Sequence, residues 1–392
     1  MEPALNPYSP GSGLQPPFLA GREGEIEAFD LLLARTKLQY QGRGMILGGL
    51  RGVGKTVLLN KLRGMARHHE WLEVKLEARP GVAGSIDTRK TLARELQVAA
   101  RRYTTSSYVG EKFKQMLGTL TSFSLSMGAQ GISLGVEADP TRAATGQIEI
   151  DLRDLTEDLA RAMRSLRKGF VIFIDEMQDL DNELLSALVT AQHHAGQEEL
   201  PFYVVGAGLP NLPSRLAEAR SYAERLFDYR VIGTLEENEA IDSFQIPAAR
   251  AGQEYSPEAL EILLNVSGRY PYFIQEFGSA MWEAAQDSPF TDVDAEIASR
   301  IGLQRLDSGF FPSRWDRATP RERQYLTAMA QDGEDGSSSS SVATRLGTAV
   351  QNLGPTRAQL IGKGLIFAPD HGRVAFTVPG MSAYIERQHY AD

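Results

Sequence analysis

MILGGLRGVGKTVLLN, Met45 to Asn60, is the stretch that decides how this chain reads. Met45, Ile46 and Leu47 make a short apolar strand, a glycine-rich turn follows, and a helix opens at Lys55. Within it stands a complete G-x-x-x-x-G-K-T, formed by Gly49, Gly54, Lys55 and Thr56. That spacing suits a nucleotide's phosphates. The main-chain N–H groups from Gly49 through Leu50, Arg51, Gly52 and Val53 to Gly54 form a concave anion site. The positive end of the helix beginning Lys55-Thr56-Val57 completes it. Glycines let the main chain approach the phosphates and adopt φ > 0. Lys55 is placed to reach the β- and γ-phosphates, and the Thr56 hydroxyl to help hold Mg²⁺.

Composition bounds the rest. A chain of 392 residues allows two or three domains with ample core. No apolar run nears the ~18 residues of a membrane span, and the opening MEPALNPYSPGSG has neither the basic nor the apolar region of a signal peptide. With no cysteine, disulfides and thiolate metal sites are excluded, and a reducing cytoplasm is the compatible compartment. A net charge of −9 speaks against a generally basic nucleic-acid coat.

Residues 1–17, rich in Pro, Gly and Ser, read as an extended arm. Phe18 to Arg35 continues into an amphipathic helix with Ile26, Phe29, Leu32 and Leu33 on one face. Leu72–Leu76 is a second short strand, and Asp87 caps a helix running towards Tyr103. Between about 121 and 136, Phe123, Leu125 and Met127 alternate with small polar residues, as do Ile132, Leu134 and Val136, which predicts an inserted β-hairpin. Asp151–Lys168 is the clearest helix, with Leu152, Leu155, Leu159, Met163 and Leu166 stepping by three and four and Gly169 as its C′ residue. Phe170–Ile174 is a continuous apolar strand of the kind buried on both faces of a parallel sheet. Asp175 and Glu176 end it. Downstream of a full phosphate loop, Asp175 is placed to orient Mg²⁺ and its waters, and Glu176 to polarise an attacking water in line with the γ-phosphate. After the strand Phe202–Val205 come Gly206, Ala207 and Gly208, with Asn211 the first polar side chain. The adjacent pairs His68-His69 and His193-His194 point apart on their helices and do not share a metal.

Towards the end, Thr319 caps a helix before Pro320, Ser341–Leu346 and Pro355–Gly364 are short helices, and LIFAPDHGRVAFTV is a hairpin. Three helices and a hairpin outline a winged helix. Such a module reads a major groove with its third helix, where Arg357, Gln359 and Lys363 are available. Against DNA stands the balance of residues 316–392, eight Lys and Arg against eight Asp and Glu.

Taken together, Gly21-Arg22-Glu23, Gly49–Thr56, FIDEMQDL at Phe173–Leu180, VVGAGLP at Val204–Pro210 and AERLF at Ala223–Phe227 resemble the AAA+ ATPases. The branch is that of the replication-initiator ATPases, the related signalling NTPases and the bacterial Orc1-like ATP-binding proteins. The resemblance implies an α/β fold: a P-loop, RecA-like parallel sheet with helices on both faces (18–234), a small helical lid (235–310) and the winged helix (311–392). It implies ATP and Mg²⁺ as ligands, Arg22 beside the adenine, and Arg225 reaching a neighbouring subunit's nucleotide in a homo-oligomer. The lid turn Gly268-Arg269-Tyr270-Pro271 is closest to the Gly-x-Pro of the signalling branch, with Pro271 against the nucleotide. Two functions follow, a hydrolysing remodeller or loader acting on DNA and an ATP-dependent switch controlling a protein partner.

Overall fold

The computed structural model describes residues 1–392 except 12, 105–110, 129–133 and 390–392. The chain divides into two compact units, one of residues 23–48 and 55–231, the other of residues 1–22, 49–54 and 232–392.

The first unit is built on a parallel sheet of five strands: β1 (Gly44–Gly48), β2 (Leu72–Glu77), β3 (Phe170–Asp175), β4 (Phe202–Gly208) and β5 (Phe227–Val231). Their order is β2-β3-β4-β1-β5, with Met45 opposite Val205 and Phe170 opposite Phe202. Helices α1 (Glu23–Lys37), α2 (Lys55–His68), α3 (Gly81–Ala100), α4 (Glu111–Ser126), α5 (Ile148–Ser165), α6 (Asn182–Gln197), α7 (Leu212–Ala219) and α8 (Ala223–Leu226) cover both faces. Every residue of β3 is buried, as its unbroken apolar run requires when both faces are covered. Leu152, Leu155, Leu159 and Met163 of α5 are fully buried, each contributing roughly 1.5–3 kcal/mol of apolar transfer.

The hairpin expected near 121–136 is not formed, because its first arm lies in α4. Phe113, Met116, Leu117, Leu120 and Phe123 recur at helical spacing and are buried, whereas Leu125 is exposed. Of the small polar residues that suggest alternation, Ser122 and Ser124 are buried too. Ser124 Oγ donates to the carbonyl of Leu120 at 2.8 Å and Ser122 Oγ to that of Gly118 at 3.2 Å, and earlier in the helix Thr119 Oγ1 donates to Asp158 Oδ2 at 2.7 Å. The hairpin's second arm begins among residues outside those described. The insertion is fastened to α5 by carboxylates on the helix. Asp151, fully buried, accepts from Thr145 N–H at 2.9 Å and Gly146 N–H at 2.9 Å. Asp158 accepts from Arg142 Nη2 at 3.0 Å.

Two boundaries also differ from expectation. Helix α3 starts at Gly81, just after Pro80, so Asp87 lies within it rather than capping it. At the end of α5 the left-handed residue is Arg167 (φ 57°). Gly169 serves packing instead, since a Cβ there would meet the Trp71 ring at 2.6 Å.

In the second unit, α9 (Glu237–Arg250), α10 (Pro257–Ser267), α11 (Pro271–Ala284) and α12 (Asp292–Arg305) pack together. The N-terminal arm is stitched onto them. Trp282 Nε1 donates to the carbonyl of Glu2 at 2.8 Å, and Tyr8 Oη donates to that of Phe244 at 2.5 Å and lies 2.7 Å from Tyr255 Oη. Helix α13 (Pro312–Trp315) leads to α14 (Pro320–Ala330), β6 (Ser337–Ser338), α15 (Ser339–Arg345), α16 (Val350–Gly362), β7 (Ile366–Phe367), β8 (Arg373–Phe376) and α17 (Met381–His389). The three strands form an antiparallel sheet in the order β6-β8-β7. Thr319 caps α14 as expected, its hydroxyl accepting from Glu322 N–H within a full capping box. Pro355, expected to start a helix, lies inside α16.

Candidate functional site

At the head of α2, Lys55 is buried, and Thr56 Oγ1 donates to Asp175 Oδ2 at 2.7 Å. Asp175, at the end of β3, also accepts from Glu176 N–H through Oδ1 at 3.0 Å. A hydroxyl and a carboxylate so paired are the hard oxygen donors that Mg²⁺ takes from a protein when phosphate and water supply the rest. Among the described residues no group of three or more His, Asp or Glu could hold a metal by itself. The pair fits that ion only in company with a phosphate.

Glu176 sits at φ 49°, ψ 39°, a left-handed conformation unusual outside glycine. Such strain is held by its surroundings. Its Oε2 accepts from Gln178 Nε2 at 2.6 Å, and Gln178 Oε1 accepts from Leu209 N–H at 3.1 Å. Arg215 braces the same turn, its Nη2 donating to the carbonyl of Leu180 at 2.5 Å and its Nη1 to that of Gln178. In the sequence Gln178 stands out only as part of FIDEMQDL. Its contacts join segments some 30 residues apart, and no spacing announces them. Asn211 precedes α7, and its Oδ1 is buried without a hydrogen-bond partner among the described residues.

The loop Gly49–Gly54 is described with the second unit. Gly52 and Gly54 adopt φ of 89° and 92°, values that require glycine. Gly49 lies against the carbonyl of Ile232, where a Cβ would approach within 2.1 Å. Arg22, buried, donates to three carbonyls: Gly21 at 2.7 Å, Val53 at 3.1 Å and Gly233 at 2.8 Å. The bond to Val53 fastens Arg22 to the loop itself. Pro271 opens α11 between Tyr270 and Tyr272, and both tyrosines close on Gly52, a Cβ on which would lie 2.9 Å from Tyr270 Cε1 and 3.3 Å from Tyr272 Cβ. Tyr270 Oη is buried without a partner among the described residues, and burial pushes its phenol pKa upward. An orphaned donor beside a phosphate loop is a polar group that a bound ligand would satisfy.

Two further contacts in this unit were not foreseen. Arg51 N–H donates to the carbonyl of Thr377, one residue beyond β8, at 3.0 Å. Lys363, offered above as a groove-facing cation, turns inward, its Nζ donating to Glu322 Oε2 at 2.6 Å and to the carbonyl of Arg317 at 2.9 Å. Arg225 is exposed on α8 and forms no ion pair among the described residues. Arg269 holds a left-handed φ of 57° at the turn before α11.

No helix among the described residues is long and apolar enough to cross a membrane. No curated protein matches the chain. Among solved structures it is similar to a Walker-type ATPase of Pyrococcus abyssi, at 15% identity over 94% of this chain and 96% of that one, with a TM-score of 0.57. It is also similar to the Thermotoga maritima RuvB Holliday junction branch migration motor (15% identity, 94% and 95% covered, TM-score 0.41). A third likeness is to the Aeropyrum pernix Orc1 protein in complex with DNA (14% identity, 95% and 94% covered, TM-score 0.43). Residues 308–385 match a domain family of unknown function. Residues 19–205 match the model of the AAA ATPase domain family, and the phosphate loop, the buried strand ending in Asp175 and the parallel sheet agree with it: this chain carries an AAA ATPase domain.

Proposed function

We propose that this chain is a Mg²⁺-dependent ATPase that hydrolyses ATP to ADP and phosphate and uses the cycle to remodel or load a partner, with DNA the first partner to test. The bond from Thr56 Oγ1 to Asp175 Oδ2 carries the reading, because it joins the phosphate-loop helix to the acidic strand end through the two side chains a Mg·nucleotide would need. In this reading the main-chain amides of Gly49–Gly54 and the Lys55 ammonium hold the phosphates. Mg²⁺, when bound, neutralises charge developing on them. Thr56 and Asp175 orient that ion and its waters, and Glu176 takes the proton of the attacking water. Arg225, exposed and unpaired with any acid among the described residues, is free to reach a second copy of the chain. The element order from α14 to β8 supports a winged helix at residues 311–392. The lid comprises residues 235–310, and the cytoplasm is the compartment. The initiator and signalling branch of the family supports DNA and protein partners respectively.

One observation favours the second reading, a nucleotide-controlled switch. Arg51 N–H belongs to the loop whose amides bind phosphate, yet it donates to Thr377 of the C-terminal segment. A phosphate taking that amide releases Thr377, so occupancy would be felt at the winged helix. The experiment is ATP hydrolysis over a range of protein concentrations, with and without duplex DNA, for the wild type and Glu176→Gln. Wild-type turnover that rises with concentration or DNA supports the motor. Tight Mg·ATP binding without turnover in either protein favours the switch. Turnover undiminished in Glu176→Gln refutes the role given to that carboxylate.

A further inference from the structure

Gly206 and Gly208 leave the end of β4 without a polar side chain. The structure shows what fills the space. A Cβ on Gly208 would lie 2.7 Å from Gln178 Oε1, and one on Gly206 would lie 2.2 Å from Met177 Sδ. Both glycines make room for the turn after Asp175-Glu176. Gln178 is 6% exposed, and both ends of its amide are engaged, Nε2 with Glu176 Oε2 at 2.6 Å and Oε1 with Leu209 N–H at 3.1 Å.

We propose that Gln178 is the positioning residue for Glu176, tying its carboxylate to the main chain at the end of β4 and so supplying from the acidic turn the polar link that β4 lacks. The inference rests on the reading of Glu176 as the group that polarises the attacking water. A glutamate carboxylate on a left-handed backbone has free side-chain torsions and needs a second contact to hold one orientation. The Gln178 amide provides that contact as a donor. Leu209 N–H can only donate, so it claims Oε1 and leaves Nε2 as the end facing Glu176. Asparagine is one methylene too short to span both partners. Glutamate at neutral pH would set two carboxylates where one hydrogen bond now lies.

The test is steady-state ATP hydrolysis by the full chain, with Mg·ATP affinity measured on each protein, for wild type, Gln178→Leu, Gln178→Glu, Glu176→Gln and Glu176→Gln/Gln178→Leu. Gln178→Leu should keep KM and Mg·ATP affinity within about twofold while kcat falls about 10- to 100-fold, the usual effect of removing a residue that orients a reacting group. Gln178→Glu should be as slow at pH 8 and regain part of its kcat towards pH 6. Two adjacent carboxylates raise each other's pKa, and the introduced carboxyl becomes a donor again once protonated. On the Glu176→Gln background, Gln178→Leu should lower kcat no further, because the two residues act as one unit. A packing lesion would instead add to the loss and show no recovery at low pH. The inference is overturned if kcat of Gln178→Leu stays within twofold of wild type, if the loss falls on KM, or if the effects of the two substitutions multiply. A wild type that binds Mg·ATP without hydrolysing it also overturns it, while leaving the nucleotide site intact. A wild type that binds no Mg·ATP overturns the function proposed above.

Discussion

Replacing Lys363 by methionine removes a cation from a carboxylate that has left water almost completely. Glu322's side chain is 1% exposed and that of Lys363 32%, with Nζ 2.6 Å from Oε2. Exposed ion pairs contribute about 0.2–1 kcal/mol, and removing one partner of a fully buried pair costs about 3–5 kcal/mol. This pair has one end wet, and Glu322 retains the Thr319 N–H bond at 2.7 Å, so the expected cost at pH 7 is intermediate, about 2 kcal/mol. The pH dependence follows from the carboxyl. Burial alone would raise its pKa, but the bonds from Lys363 and the Thr319 cap outweigh burial and hold it below the ordinary glutamate value. A lowered pKa contributes stability that is present above the unfolded value and is lost as pH falls through the folded one. Without Lys363 that contribution shrinks. The gap between wild type and Lys363→Met is therefore widest near pH 7 and closes below about pH 4, where unfolded glutamates protonate. Calorimetric unfolding from pH 7 down to about pH 3 measures it, and Trp315 fluorescence follows the same region, since Arg323 lies over its ring. A difference below about 0.5 kcal/mol at pH 7, or one that does not change with pH, would refute the buried pairing.

Other expectations test the remaining joints. Tyr8→Phe leaves the buried Phe244 carbonyl and the Tyr255 hydroxyl without their shared partner and should lower stability by about 1–3 kcal/mol; an unchanged Tm would mean that the arm is not seated there. The chain has no cysteine, so Arg51→Cys with Thr377→Cys offers a clean cross-link. The 3.0 Å bond from Arg51 N–H to the Thr377 carbonyl sets the two backbones side by side, so the pair is expected to cross-link under oxidation, and no cross-link, even with a longer bis-thiol reagent, would argue against that contact. Thr56→Ala removes a donor to Asp175 and should raise the Mg²⁺ needed for half-maximal turnover about tenfold or more; an unaltered Mg²⁺ requirement would remove Thr56 from the metal's surroundings.

What could be read from the chain was local in sequence. Gly49–Thr56 could be read because its chemistry lies in eight consecutive residues. The strand ending in Asp175 could be read because burial on both faces leaves an unbroken apolar run. Helix α4 was misread since its serines and threonines alternate with apolar residues while their hydroxyls are satisfied inside the fold, by carbonyls and by Asp158. Lys363 reads in the sequence as a cation available to a DNA groove, and only tertiary packing turns it to Glu322. Gln178 was passed over for a similar reason: its partner Leu209 belongs to another segment. Charge and motif reveal which residues have chemistry to offer. Packing decides which of them offer it to solvent.

The most direct test of the central claim is Mg·ATP binding measured by titration calorimetry on the wild type and on Lys55→Ala. One site per chain in the wild type, weakened about 100-fold or more in the variant, is the predicted result, consistent with loss of a charged contact to phosphate. Equal binding by the two proteins would contradict the place given to Lys55. No binding by either would contradict the reading of Gly49–Thr56 on which the proposed function stands.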